Sequence, residues 1–137
     1  MANLRVNLDK ALFDVLNVSA VLAVAPGGVY NSVAPPSTQP PWVVFQAFSK
    51  IDDYWAFTQR GGSALYQVKA VSLSRWPKEA GDIDTQIDTA LQDATLTITG
   101  FSQFFVRRES DFYLQEPRGS EIFFQIGGLY RIIADET

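Results

Sequence analysis

From Leu8 to Asn17 the chain reads LDKALFDVLN, with Leu8, Ala11, Leu12, Val15 and Leu16 at helical spacing. That period makes one apolar stripe on an amphipathic helix, for which Asn7 is the expected cap and Asp9 an acid of the first turn. Ser19 can restart a short apolar turn through AVLAVA, which Pro26, Gly27 and Gly28 end. A second stripe runs through KEAGDIDTQIDTALQDA at Ala80, Ile83, Ile87, Ala90, Leu91 and Ala94, with Asp82, Asp84, Asp88 and Asp93 largely off it. Pro77 fits the first turn of this helix, because its missing N–H would find no partner there anyway.

Elsewhere the period falls to two. In WVVFQAFS, Trp42 to Ser49, both alternating sets are apolar, so the strand is expected to be covered on both faces. ALYQVKAVSL resumes strand-like alternation, setting Ala64, Tyr66, Val68 and Ala70 against Gln67 and Lys69. The intervening KIDDYWAFTQRGGS reads as a hairpin tip with flexible Gly61 and Gly62. The last third predicts three β-rich segments, TLTITGFSQFFVRRE, DFYLQ and EIFFQIGGLYRIIA, interrupted by Gly100, by Glu109 to Asp111 and by the turn EPRGS; Gly127 and Gly128 are expected to mark a bulge or bend. The order of elements implies a single α+β domain over residues 1–137, with one mixed, mostly antiparallel sheet and two helices packed on one face.

One stretch fits neither period. Between the strand-like VY and Trp42 stand Pro35, Pro36, Pro40 and Pro41, which fix φ and remove backbone donors. The segment is therefore expected to be an exposed, extended arm: a stiff linker between neighbouring elements, or a preorganised contact for a partner.

Composition narrows the chemistry. Hydrophobic residues make up 47% of the chain and charged residues 19%, which gives a core and excludes a disordered acidic tail. The net charge of −4 and a lone adjacent basic pair, Arg107 and Arg108, argue against a dedicated nucleic-acid binder, which needs clustered cations. Without cysteine there is neither disulfide nor thiolate chemistry; without histidine there is no Ser-His-Asp triad and no imidazole ligand. No apolar run approaches the roughly 20 residues that span a bilayer, and MANLRVNLDK lacks the apolar core of a signal peptide. The expectation is a protein made in the cytoplasm, with no membrane partner.

Candidate sites are few. None of the Gly-Gly pairs has the spacing and lysine of a phosphate loop, and neither Asp52 with Asp53 nor Glu79 with Asp82 resembles the ligand loop of a hard cation. No catalytic, cofactor or metal residue is assigned. The aromatic cluster Tyr54, Trp55 and Phe57, with Arg60 beside it, reads equally as core or as contact surface, since interfaces favour aromatics and arginine. With Pro35 and Pro36 of the arm, these form the candidate interface.

The helix ALFDVL, the segment GGVYNSVAPPSTQPPWVVFQ, the strand LYQVKAVSLS, the helix IDTQIDTAL and the aromatic β-rich end together resemble the tail-completion or tail-terminator proteins of long-tailed bacteriophages. The most telling positions are Gly28, Tyr30, Ala34, Pro35, Pro41, Val43 and Phe45: G-x-Y, then A-P, a spacer, and P-x-V-x-F. KIDDYWAFTQRGGS has no residue-by-residue counterpart, so the resemblance carries fold and role but no contact residue. It implies a structural, non-enzymatic protein of the virion tail and neck, forming a ring of six copies on the tail tube and meeting the head connector or stopper. DNA would pass its lumen without specific binding, which a net negative charge permits. Another neck or minor tail component is the alternative, and a small carbohydrate-binding or hydrolytic domain a distant one.

Overall fold

A computed structural model describes residues 4–54, 60–92 and 94–136. The chain order is α1 (Leu4–Leu16), α2 (Ser19–Val24), β1 (Val29–Asn31), β2 (Trp42–Tyr54), β3 (Arg60–Ser74), α3 (Lys78–Leu91), β4 (Phe101–Arg118) and β5 (Glu121–Glu136). The strands form one five-stranded sheet in the order β1-β2-β3-β5-β4, antiparallel except for β1 beside β2, and curled into a half-barrel. The α+β class and the mixed sheet agree with the sequence reading. The helices number three among the described residues, not two, because Ser19 restarts a full short helix after Asn17 and Val18.

Most of both helical stripes is buried; Val15 and Ala90 are only partly so, and Ala94 lies past the end of α3. Leu8, Ala11, Leu12 and Leu16 of α1 and Ala80, Ile83, Ile87 and Leu91 of α3 pack with Phe45, Tyr66, Val68, Tyr130 and Ile132 of the sheet. Register places Tyr66 opposite Tyr130 and Ala70 opposite Ile126, so the period-two residues of β3 and β5 reach the same core. Polar ties run from these positions to the helices: Tyr66 donates to Asp9 of α1 at 2.6 Å, Ser72 to Glu79 of α3 at 2.6 Å, and Tyr130 to Asp88 of α3 at 2.9 Å.

Several boundaries differ from the sequence reading. The first helix already includes Leu4, so Asn7 is no cap and Asp9 lies past the first turn; the Asn7 amide donates instead to the Thr99 carbonyl at 2.8 Å, across from the segment that follows α3. Gly61 and Gly62 lie within β3, paired with Asp53 and Asp52. Residues 95–98 are irregular, with Leu96 and Ile98 buried in the core; the strand starts only after Gly100, whose φ is 82°. Glu109 to Asp111 do not break β4, because a register shift between Arg108 and Ser110 absorbs the polar run at the sheet's edge. The ladder also continues without a shift through Gly127 and Gly128, so no bulge forms there.

Candidate assembly surface

The proline segment closes a parallel crossover. Val29 pairs with Val43 and Asn31 with Phe45, so residues 32–41 must bring the chain back to the start of β2. Both ends of this loop are tied to the sheet: Gly27 N–H donates to Pro41 O at 2.9 Å, Val43 N–H to Gly28 O at 2.9 Å, and Ser32 N–H to Phe45 O at 2.8 Å. Gly27 is required by space, since a Cβ there would lie 2.4 Å from Gln39 O and 2.5 Å from Pro41 O. Between these anchors Pro35 and Pro36 are exposed. A parallel pair is usually joined by a dozen or more residues and a helix; here a proline-stiffened loop does the same with less chain.

This arm crosses the sheet face opposite to Tyr66 and Ser72. With Val44, Lys69, Val71 and Gln125 it lines a cavity of about 280 Å³. Lys69 donates to Gln125 Oε1 at 2.7 Å and stands 5.3 Å from the Phe112 ring centre. Burial lowers its pKa, against the opposing pull of Glu116. Nearby, Trp42 and Phe123 meet at 6.4 Å between ring centroids, and the Arg118 guanidinium caps Phe123 at 5.1 Å.

At the other edge of the sheet lies β4. Tyr113 and Leu114 are exposed on it, and Tyr113 keeps 66% of its surface. Glu109, Asp111, Glu116, Pro117 and Arg118 mark the same strand, the charges and proline by which sheet edges avoid indiscriminate pairing. Arg131 of β5 forks onto Glu109 at 2.8 and 3.3 Å and holds that carboxyl below the usual range, while Glu109 raises Arg131. A lowered folded-state pKa gives stability above the unfolded value and loses it as pH falls through the folded one. Because the pair is solvated, Glu109→Gln is expected to cost at most about 0.5 kcal/mol at neutral pH, a difference that vanishes in urea melts taken well below pH 4, the usual glutamate range.

Arg108 fastens α3 to this edge. Its guanidinium meets both Asp84 oxygens at 2.8 and 3.0 Å, Gly127 O at 2.7 Å, Tyr130 Oη at 3.2 Å and Asp111 at 2.9 Å. Burial opposes its charge, yet the Asp84 carboxylate and Tyr130 outweigh that and raise its pKa; burial likewise raises Tyr130, against the pull of Arg108. Gly128 leaves room for this arginine, because a Cβ there would stand 2.5 Å from Arg108 Nε. Arg108 escaped sequence reasoning; its signal was a paired glycine in mid-strand together with Asp84 and Asp88 one turn apart on α3.

Of the other carboxylates named from sequence, the side chains of Asp52 and Asp53 lie outside the described residues, and those of Glu79 and Asp82 are engaged in local structure. Asp82 pairs with Lys78 at 2.6 Å and Glu79 accepts from Ser72. No group of three or more metal-ligating acids gathers among the described residues. Of the aromatic candidates, Trp55 and Phe57 lie outside the described residues; Tyr54 ends β2 opposite Arg60 at the start of β3, with both side chains likewise outside them. Trp76, which sequence reasoning did not single out, is 74% exposed.

The family model of tail completion protein gp17 matches residues 10–131. Among solved structures, a chain described as the virion of a native gene transfer agent (GTA) particle shares the fold, with a TM-score of 0.79 over 98% of this chain and 99% of that one, at 13% identity. No curated protein matches.

Proposed function

The chain belongs to the family of tail completion protein gp17, structural proteins of the phage tail, and from that premise we propose that it caps the tail tube as a ring and joins it to the head connector. A closed ring of identical subunits is built head to tail, so each copy needs two different complementary patches. The observation that carries this reading is the strand order. It sets β1 at one edge of the sheet, with the arm and its exposed Val33, Pro35 and Pro36 lying over the adjoining face, and β4, with exposed Tyr113 and Leu114, at the other edge. Two unlike edges on a rigid sheet suit lateral, heterologous contact.

Six copies would match a sixfold tube, with the tube below, the connector or stopper above and DNA passing the lumen unbound. Tyr54 and Arg60, where β2 ends and β3 begins, are assigned to a further contact in this reading, together with Trp55 and Phe57, which stand between them in the sequence. The ring occupies the neck of the virion and forms from subunits made in the host cytoplasm.

Electron microscopy of lysates from a phage lacking the protein tests the role. Tails of uncontrolled length, or finished tails detached from filled heads, are expected, with both defects reversed by supplying the protein in trans. Normal joined particles in its absence would refute the role; density at a place other than the tube's head-proximal end would assign it to another neck or tail component.

A further inference from the structure

Trp76 is the most exposed aromatic ring among the residues whose exposure is described. Its backbone is nevertheless restricted. It follows the end of β3 and precedes Pro77, which stands at φ −76° as the cap of α3, and a residue before proline is confined to extended backbone. An indole held in water by a constrained junction costs solubility and contributes little to the core.

Beside it runs a groove of about 600 Å³ lined by Val24, Ser74, Trp76, Lys78, Glu79 and Asp82. Its charges are arranged unequally. Lys78 is taken by Asp82 at 2.6 Å, whereas Glu79 has no cationic partner among the described residues. Glu79 is also held in place: the fully buried Ser72 hydroxyl donates to its Oε1 at 2.6 Å, which leaves Oε2 for another donor. The groove thus offers an aromatic face, a positioned carboxylate in excess and an apolar wall at Val24.

We propose that this groove receives an arginine side chain of an adjoining virion protein, its guanidinium stacked on Trp76 and bonded to Glu79. Arginine fits better than lysine, because a planar, weakly hydrated fork can stack on an indole and still donate in its own plane. That the arginine belongs to a virion protein rests on the tail reading above; the recognition chemistry does not.

The probe is the peptide N-acetyl-Leu-Arg-Leu-amide, titrated into the labelled protein and followed by NMR at the Trp76 indole N–H, which is assigned from its loss in Trp76→Phe. Saturable movement of that signal and of the Ser74 and Glu79 amides is expected. Replacing arginine by citrulline in the probe, or making Glu79→Gln or Trp76→Ala, should weaken binding about tenfold, with the melting temperatures of both variants within a degree or two of wild type. No movement, or equal affinity for the citrulline or lysine peptide, overturns the proposal. In assembled particles, copies of Trp76→Ala should be depleted relative to co-expressed wild type; equal incorporation also counts against it. If peptide binding fails while the protein-less phage still shows the tail defect, the groove assignment falls alone. Binding that persists while tails are normal without the protein would sink the tail reading instead.

Discussion

Replacing Arg108 by alanine is expected to lower the unfolding free energy by about 3 kcal/mol, the lower end of what breaking a buried ion pair costs. The low end applies because the Arg108 and Asp84 side chains keep 16% and 17% of their surface. The loss has several sources acting together. Asp84 is left with a largely desolvated charge, Gly127 O and Tyr130 Oη lose a donor, and the bond that ties α3 to the bulged part of β4 disappears. Arg108→Lys should recover only part of this, since an ammonium cannot meet both Asp84 oxygens and the Gly127 carbonyl in one plane. Removing both charges, as Arg108→Met with Asp84→Leu, should restore more stability than the lysine does, because no uncompensated carboxylate then remains. Urea midpoints with unchanged slope measure each step. A loss below about 1 kcal/mol for Arg108→Ala would show the network to be solvated surface rather than a clamp.

The parts of this fold legible in the sequence are those where burial acts locally. Leu8, Leu12 and Leu16, and Ile83, Ile87 and Leu91, recur with the period of their own helices, so the sequence displays the buried face without knowledge of its partner. Tyr66, Val68 and Ala70 do the same with period two. The length of β4 was hidden for the opposite reason. β4 is an edge strand paired with β5 over its whole length, and towards its end Gln115, Glu116, Pro117 and Arg118 are all exposed, so that no core imposes alternation there. Polar residues that read as breaks are tolerated there, and the expected three segments merge into one hairpin.

The surface was harder to read than the core. Pro35 and Pro36 signalled an exposed arm, and they are exposed; that the arm would turn back across the sheet face holding Lys69 and Val71 depends on the parallel pairing of β1 with β2, a long-range choice. Arg108 shows the same limit. Its partners lie at 84, 111, 127 and 130, gathered from a helix and both strands of the hairpin, and no spacing rule links them. Trp76 carried a local signal, an aromatic directly before a proline at a strand-to-helix junction, but deciding that its ring stays in solvent needed the surrounding surface.

Gly127→Ala is expected to be the most damaging methyl group among the glycines whose surroundings are described, and Gly81→Ala a beneficial one. The left-handed backbone argument applies to neither, since only Gly28, Gly100 and Gly119 have positive φ among the described glycines. Space decides the sign. A Cβ at Gly127 would stand 2.1 Å from the Val68 carbonyl oxygen and 2.5 Å from the Lys69 Cα, both backbone atoms of the strand it pairs with, so no side chain can swing aside to admit it. To fit it, β3 and β5 must part at the middle of the sheet, and the Gly127 carbonyl must leave the Arg108 guanidinium that it meets at 2.7 Å. A loss of more than about 3 kcal/mol follows, at or above the usual range for overpacking, which is a large share of the 5–15 kcal/mol typical of a domain. At Gly81, on α3, the same methyl group meets nothing within 4 Å. There it only restricts the unfolded chain and favours the helix, which should add about 0.5–1 kcal/mol. Denaturant melts of the two variants beside wild type are the measurement; if Gly127→Ala melts with the wild type, the close approach of β3 and β5 is wrong, and with it the seat of the Arg108 clamp.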